Sequence, residues 1–328
     1  MDLPSLPSPT ELAIPGFIAF MLLELFVRWL RHRSGGQEHG DAGIAYQTRD
    51  TLASLSMGAG NVVEGILVGF VSYGVLLFFW QYRVLDLGFG LGVFVVAYVL
   101  DDLRYYWYHR VAHESRWFWA AHVTHHSSQH YNLSTALRQT WTSTLSLAFV
   151  FSIPLALLGF HPLILGFVSA LNAVYQFWIH TEAIRRLPWP IEAVFNTPSH
   201  HRVHHARNAR YLDANYAGTL IIWDRLFGSF VPEDDAEPCR YGLTKNLGSF
   251  NPIRIAFHEW VAMLGDVARP GLTLGDRLRY LFGPPGWSHD GSRQTAKMLK
   301  EAWVAKHPEQ AALPGLPALP PAGAPRHA

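Results

Sequence analysis

The chain has 328 residues, of which 49% are apolar and 16% charged, with a formal net charge of +1. That balance excludes the basic field of a nucleic-acid binder. A single cysteine, Cys239, excludes an internal disulfide framework, a cysteine-rich zinc site and a thiolate-bound haem. Soluble proteins carry about 25% charged residues, so the low charge, with 20 Phe, 13 Tyr and 12 Trp, points towards lipid.

Residues 11–30 form an apolar run broken mainly by Glu24 and Arg28 and followed by Arg31, His32 and Arg33. A cleaved signal would carry its positive charge before the apolar stretch, so this run reads as a retained span. Residues 58–82 form a second run, and residues 88–100 a third after a short loop. Gly58, Gly60 and Gly65 loosely resemble a dinucleotide loop, but they lie inside an apolar span rather than after a strand. Residues 141–160 form a fourth run and residues 163–179 a fifth, joined at His161-Pro162. A span needs about 20 mostly apolar residues, and the third and fifth runs continue into polar helices beside them. Arg31, Arg33, Arg104, Arg110, Arg138, Arg185 and Arg186 fall on one side of these spans and only Arg83 on the other. The positive-inside rule then puts every histidine cluster on the cytoplasmic face.

Eighteen histidines are present, and their spacing matters more than their number. His109 and His113 form H-x3-H. His122, His125 and His126 form H-x2-H-H. His201, His204 and His205 repeat H-x2-H-H, with His200 just ahead. On a helix, positions i, i+3 and i+4 share one face, so two imidazoles four apart can aim at one ion while the third reaches it or a neighbour. Three such helices would surround a pair of metals with eight imidazoles, and His180 could add a ninth. A single histidine is more often solvated or bonded in a core. A cluster this dense repels itself unless metal holds the rings neutral. Imidazole suits zinc, copper, iron and nickel alike, but one structural zinc needs four ligands, far fewer than are gathered here. Hydrolysis at such a pair usually employs carboxylates as bridging ligands and bases, and few lie inside the clusters. Dioxygen activation by iron beside a lipid-filled membrane is the better chemical fit.

These motifs resemble the fatty acid hydroxylase/sterol desaturase superfamily of membrane di-iron enzymes, and within it the alkylglycerol monooxygenase branch. The likeness rests on residues 105–114 (YYWYHRVAHE), 131–139 (YNLSTALRQ), 175–182 (YQFWIHTE), 196–205 (NTPSHHRVHH) and 215–230 (NYAGTLIIWDRLFGSF). It implies two irons per chain, held by His109, His113, His122, His125, His126, His201, His204 and His205, with His180 a further ligand. It implies dioxygen as oxidant, a lipid as substrate and, for this branch, tetrahydrobiopterin as reductant, with Glu114 matching a family glutamate implicated in pterin use. Glu114 can equally be a helix-surface carboxylate or a partner of a ligand histidine. Gln129 and His130 stand where animal members carry an acidic pair.

The expected fold is an all-α, polytopic membrane protein with about four or five spans and a cytosolic helical cap holding the di-metal site. Residues 1–100 would form the N-terminal membrane region and residues 101–245 the catalytic region, with a transmembrane hairpin at 141–180. Residues 246–310 would form a cytosolic helical region and residues 311–328 a disordered Pro/Ala-rich tail. Asp101 and Asp102 are candidates to orient ligand imidazoles, as are Asn215, Tyr216 and Asp224 nearby. Trp141, Tyr175, Phe177 and Trp178 are candidates to line a lipid path. Two other readings compete. A sterol or fatty-acyl hydroxylase or desaturase fed by a redox protein would use the same machinery. A non-catalytic membrane metal-binding protein would release metal without forming lipid product.

Overall fold

Two long apolar helices, most of whose residues are not buried, dominate the described part of the N-terminal third. A computed structural model describes residues 8–33, 46–310 and 312–316. The tail expected from residue 311 onwards therefore lies outside the described residues, except for 312–316. Among the described residues there is no β-strand, only an isolated antiparallel bridge between Ala206 and Tyr241.

Helix α1 (Pro9–Arg33) and helix α2 (Thr48–Trp80) are each long and apolar enough to cross a membrane, with mean hydropathy of 1.8 and 2.1 over their most apolar windows. On α1 the only buried residue is Glu24. Its carboxylate accepts the Leu133 amide at 2.9 Å and the hydroxyls of Thr181 and Tyr46, so the residue that interrupts the apolar run ties α1 to the segment after residue 180. α2 starts ten residues earlier than the apolar run. The Gln47 side chain caps it by accepting the Asp50 amide at 2.6 Å. Its first turns then bury Asp50, Ala53, Ser54 and Met57 against other parts of the chain.

Helix α3 (Leu91–Glu114) runs without a break from the third apolar run through His109 and His113. Helix α4 (Arg116–His126) follows after Ser115 and carries the second motif. A 3-10 turn (Leu133–Leu137) leads to the fourth apolar run, and there the structure departs from expectation. Residues 141–147 are turns, followed by a 3-10 turn (Ala148–Ser152) and the short helix α5 (Ile153–Leu158). The cause is local. Ser143 Oγ and the Thr144 amide both donate to Glu64 on α2, at 2.9 and 3.0 Å. The Ser146 hydroxyl turns back to the Ser143 carbonyl, and Leu147 sits at φ +62°. Hydroxyl side chains that satisfy backbone locally compete with helix. Gly60 on α2 permits the approach of this segment, since a Cβ there would lie 2.1 Å from the Trp141 indole.

Helix α6 (Pro162–Trp178) matches the fifth run and is capped by His161, whose Nδ1 accepts the Leu163 amide at 3.1 Å. α3 packs along α6, and α6 along α1. Short helices α7 (Trp189–Val194), α8 (Pro198–His205) and α9 (Ile222–Leu226) complete the catalytic region. Beyond them lie α10 (Pro252–Val267), α11 (Leu274–Phe282) and α12 (Ala296–Lys306).

Two residues from the charge count behave differently from surface charges. Arg138 is fully buried and pairs with Asp50 at 3.0 Å. Arg104 pairs with the buried Asp101 at 2.7 Å. Both guanidiniums serve internal carboxylates. Asn132, which begins a sequon by pattern, is buried, and its side chain caps the 3-10 turn by accepting the Ser134 amide at 3.0 Å.

Candidate metal centre

All nine motif histidines, His180 included, converge between α3, α4, α6 and α8 in two adjoining groups. His109, His113, His122, His126 and His204 form one, and His125, His180, His201 and His205 the other. Within each group the potential ligand atoms lie within 4.8 Å of one another. Helical geometry explains the sorting. Each residue turns by about 100°, so i and i+4 point nearly together while i+3 diverges. In α4 the pair His122 and His126 faces the five-member group and His125 faces the other. In α8 the assignment is reversed: His201 and His205 face the four-member group and His204 crosses over. Each H-x2-H-H motif therefore supplies both groups.

Four of the outer ring nitrogens are held by backbone, while His201 Nδ1 is buried without a partner. His109 Nδ1 donates to the Tyr216 carbonyl at 2.8 Å, and His204 Nδ1 to the Ala214 carbonyl at 2.9 Å. His180 Nδ1 donates to the Gln176 carbonyl at 2.7 Å, and His125 Nδ1 to the Arg138 carbonyl at 3.3 Å. A neutral imidazole that donates from Nδ1 presents a lone pair at Nε2. Those Nε2 atoms face one another: 2.9 Å for His109 and His122, 3.0 Å for His122 and His126, 3.1 Å for His125 and His180, and 3.0 Å for His180 and His201. His113 Nε2 is buried with no partner, and its Nδ1 lies 3.4 Å from the Asp213 carboxylate. Inward-turned lone pairs at this spacing, with a carbonyl or carboxylate behind several rings, are the donor set and outer support of a metal site. The residues fit two metal ions.

Burial, above all, holds the rings neutral. His125 is pushed down to about 4 and His204 to about 3, with other imidazoles in the cluster adding repulsion on His204. An unfolded imidazole takes its proton near 6.5. Between that pH and the depressed folded values, the unfolded chain binds more protons, so stability falls as pH falls. His125 alone contributes at most about 3 kcal/mol to this loss by about pH 4. Thermal unfolding of the metal-free protein in detergent from about pH 8 down to about pH 5 should show midpoints dropping steeply below about pH 6.5. A flat profile across that window would count against a neutral buried cluster.

Two of the four supporting carbonyls, those of Ala214 and Tyr216, belong to a loop fixed by two buried carboxylates. Asp102, on α3, accepts the Thr219 amide at 2.7 Å, the Leu220 amide at 3.0 Å, the Trp223 indole at 2.9 Å and the Asn172 amide at 2.8 Å. Asp224 accepts the Tyr216 and Ala217 amides at 2.7 and 2.8 Å, and burial pushes its carboxyl up to about 6. Gly218 must be glycine, because a Cβ there would lie 2.8 Å from the Asp102 carboxylate and 2.5 Å from the Asn172 amide oxygen. Asp213 and Asn215 flank Ala214 at φ +49° and +55°, a conformation that costs energy in non-glycine residues and here delivers the Ala214 carbonyl to His204.

The sequence expectations divide accordingly. Neither Asp101 nor Asp102 bonds a ligand imidazole directly, because both carboxylates are already occupied: Asp101 by Arg104 and Ser169, Asp102 by the loop. His200 stands apart from both groups, with Nε2 3.0 Å from Glu192. His130 also lies outside them, its Nδ1 buried and unpartnered. Glu114 pairs with Arg110 at 2.9 Å and borders a cavity of about 380 Å³ with Asp213, Tyr216, Lys297 and Lys300. The four lipid-path candidates have these contacts, with Trp178 edge-on to Tyr175 at 5.7 Å. Phe177 stacks on Phe17 at 4.1 Å, the Tyr175 hydroxyl donates to the Asn196 carbonyl, and the Trp141 indole donates to the Met57 carbonyl. Sequence reasoning did not identify the accepting carbonyls at Ala214, Arg138 and Gln176, since any residue type can supply a carbonyl.

Comparison with known proteins places this geometry in context. The Fatty acid hydroxylase family profile matches residues 94–229, a stretch that contains both histidine groups. Alkylglycerol monooxygenase of Homo sapiens is 39% identical over 288 residues, covering 87% of this chain and 61% of that protein. The Danio rerio protein of the same name is 41% identical over 284 residues, covering 86% and 60%. Ornithine lipid hydroxylase OlsE of Rhizobium tropici is 32% identical over 136 residues, covering 42% of this chain and 41% of that protein. The chain thus spans about 60% of the length of the alkylglycerol monooxygenases it matches here. No solved structure matches it significantly. With all the metal-ligating candidates inside the matched stretch, residues 94–229 form a fatty acid hydroxylase domain, and the likeness to the alkylglycerol monooxygenases extends over most of this chain.

Proposed function

We propose that the chain is an integral-membrane di-iron monooxygenase that hydroxylates a lipid C–H bond with dioxygen, and that its substrate is an alkylglycerol ether lipid. One observation carries the reading: two adjoining groups of neutral imidazoles with their Nε2 lone pairs turned inward. His109, His113, His122, His126 and His204 would hold one iron, and His125, His180, His201 and His205 the other. Bound there, the metals would supply dioxygen activation for C–H oxidation, chemistry that no side chain in the cluster performs alone.

The chain's own contribution is positioning and exclusion. Carbonyls of Tyr216, Ala214, Gln176 and Arg138 fix ring orientation and tautomer. The apolar helices α1, α2 and α3 keep the acyl or alkyl chain in lipid, and the arginines after α1, α3 and α6 favour a cytoplasmic metal site. Hydroxylation beside the ether oxygen would give a hemiacetal that collapses to an aldehyde and a glycerol derivative. The cavity bordered by Glu114, Arg110, Asp213 and Lys300 lies directly behind His113. It supports seating of an external reductant there, tetrahydrobiopterin in this reading. Burial pushes the Asp213 carboxyl up to about 6, so the cavity offers acid and base groups of opposite kinds to a polar heterocycle.

The test is aerobic turnover of purified, iron-loaded protein in detergent with an alkylglycerol and tetrahydrobiopterin, reading long-chain aldehyde. Aldehyde that depends on both additions supports the whole reading. Bound iron without aldehyde removes the ether-lipid and pterin assignments. If a redox protein then restores oxidation of another lipid, the oxygenase remains and only its substrate and electron donor change.

A further inference from the structure

α10 and α11 lie side by side beyond the catalytic region, and each carries an apolar stripe that no described part of the chain covers. On α10, Ile253, Phe257, Val261 and Leu264 recur along one face and are 63%, 38%, 68% and 57% exposed. On α11, Leu274, Leu278 and Phe282 recur at four-residue steps and are 73%, 48% and 54% exposed. The helices do not need this face in order to fold. α10 buries a different one, placing Ile255 and Ala256 against Ala53 and Met57 of α2, and Trp260 and Met263 against Ala120 and Ala121 of α4. An exposed apolar surface on two adjacent helices requires a partner.

Two observations say which partner. The first is continuity. The cluster that seats α10 is built on the first turns of α2, and the same helix exposes Leu52 and Leu55 there and Val62, Val63 and Ile66 just beyond. The helix that carries the uncovered α10 stripe thus packs on the first turns of a helix long and apolar enough to cross a membrane. The second is charge placement. Acidic groups of this region are turned to internal partners: Glu259 to Arg116 at 2.6 Å, Asp266 to Arg116 and Arg293 at 2.8 and 2.6 Å, and Asp276 to its own helix cap at Thr273. Arg254 stands beside Ile253 and Arg279 beside Leu278, with the Arg279 guanidinium stacked over Trp287, while Arg277 is turned inward to the Val267 and Arg269 carbonyls. Apolar side chains bordered by arginine and tryptophan match the boundary between acyl chains and phosphate.

We propose that α10 and α11 form an interfacial anchor, lying along the membrane surface with the apolar stripe among the acyl chains and the arginines at lipid phosphates. Residues 246–310 are then a membrane-bound platform rather than a free cytosolic region. Through Trp260, Met263 and the Arg116–Glu259 pair, that platform fixes the depth of α4 and its three histidines. The proposal is independent of which lipid is oxidised.

Single-cysteine variants of the full chain test it. On a Cys239→Ser background, Val261→Cys, Leu278→Cys and, on the exposed face of α12, Lys306→Cys are labelled with an environment-sensitive fluorophore and reconstituted in phosphatidylcholine vesicles. Phosphatidylcholine spin-labelled near the top of its acyl chain should quench positions 261 and 278, and aqueous iodide should not. Position 306 should respond to iodide alone. Iodide quenching at 261 and 278 equal to that at 306 would overturn the proposal. So would shielding from both quenchers, which would mean that protein covers the stripe. Leu274→Cys supplies a second α11 position should Leu278→Cys not elute as the parent protein does.

Discussion

Replacing His204 with alanine will strip iron from the five-histidine group and reduce lipid oxidation by more than ~100-fold, since losing only an outer partner of a metal ligand commonly costs 10–100-fold. His204 is the one α8 histidine that crosses to this group. Its Nε2 lies 3.2 Å from that of His126, and its Nδ1 is anchored to the Ala214 carbonyl. His201→Ala should do the same to the other group, where the His201 Nε2 lies 3.0 Å from that of His180. In each variant, iron should fall from about two to about one per chain, measured by elemental analysis alongside the product assay. The contrast set is His130→Ala and His200→Ala. Both remove a buried or bonded imidazole close to the cluster but outside both groups, and both should keep wild-type iron. Full iron in His204→Ala, or loss of it in His200→Ala, would break the assignment of ligands to groups.

That assignment also marks how far the sequence could be read. The nine histidines and their convergence follow from helical offsets, because i and i+4 share a face regardless of what surrounds them. Which group each i, i+4 pair serves does not follow. It depends on how α4 and α8 are rotated against each other, so that His125 and His204 each point to the group served mainly by the opposite helix. Apolar length was enough to place α1, α2, α3 and α6. It failed for residues 141–160, where Ser143, Thr144 and Ser146 bond locally and to Glu64 instead of exposing a helix to lipid. Hydropathy sums over such a stretch and does not register where each hydroxyl finds its partner. Arg138 has a partner that the sequence does not reveal. A basic residue before an apolar run has the pattern of a topology signal, yet its guanidinium is buried against Asp50, 88 positions away in sequence. The α10 stripe was missed because Arg254, His258, Glu259 and Asp266 lower its average hydropathy, although three of those four lie away from its exposed apolar residues.

Asp102 is where the remaining support of the site concentrates, and Asp102→Asn should expose it. The carboxylate is fully buried and its two oxygens accept four donors: the Thr219 and Leu220 amides, the Trp223 indole and the Asn172 side chain. Asparagine has nearly the same shape but offers one acceptor oxygen and a donating NH₂. The NH₂ must then face the Leu220 amide and the Trp223 indole, or, if flipped, the Thr219 and Asn172 donors. Two buried donors are left unsatisfied either way, at about 1–3 kcal/mol each. Global stability should drop by roughly 2–6 kcal/mol. A purely structural residue would stop there. Asp102, however, fixes the loop whose Tyr216 carbonyl holds His109 Nδ1 at 2.8 Å, whereas its route towards the four-histidine group, through Asn172, ends on the Gln176 side chain and not on the Gln176 carbonyl that holds His180 Nδ1. The variant should therefore bind iron ~10–100-fold more weakly at the five-histidine group while the four-histidine group keeps its affinity. Two-step iron titration of the variant distinguishes the outcomes. One weakened and one unchanged step assigns Asp102 to the positioning of His109. Equal weakening of both steps would show that it acts on the fold alone.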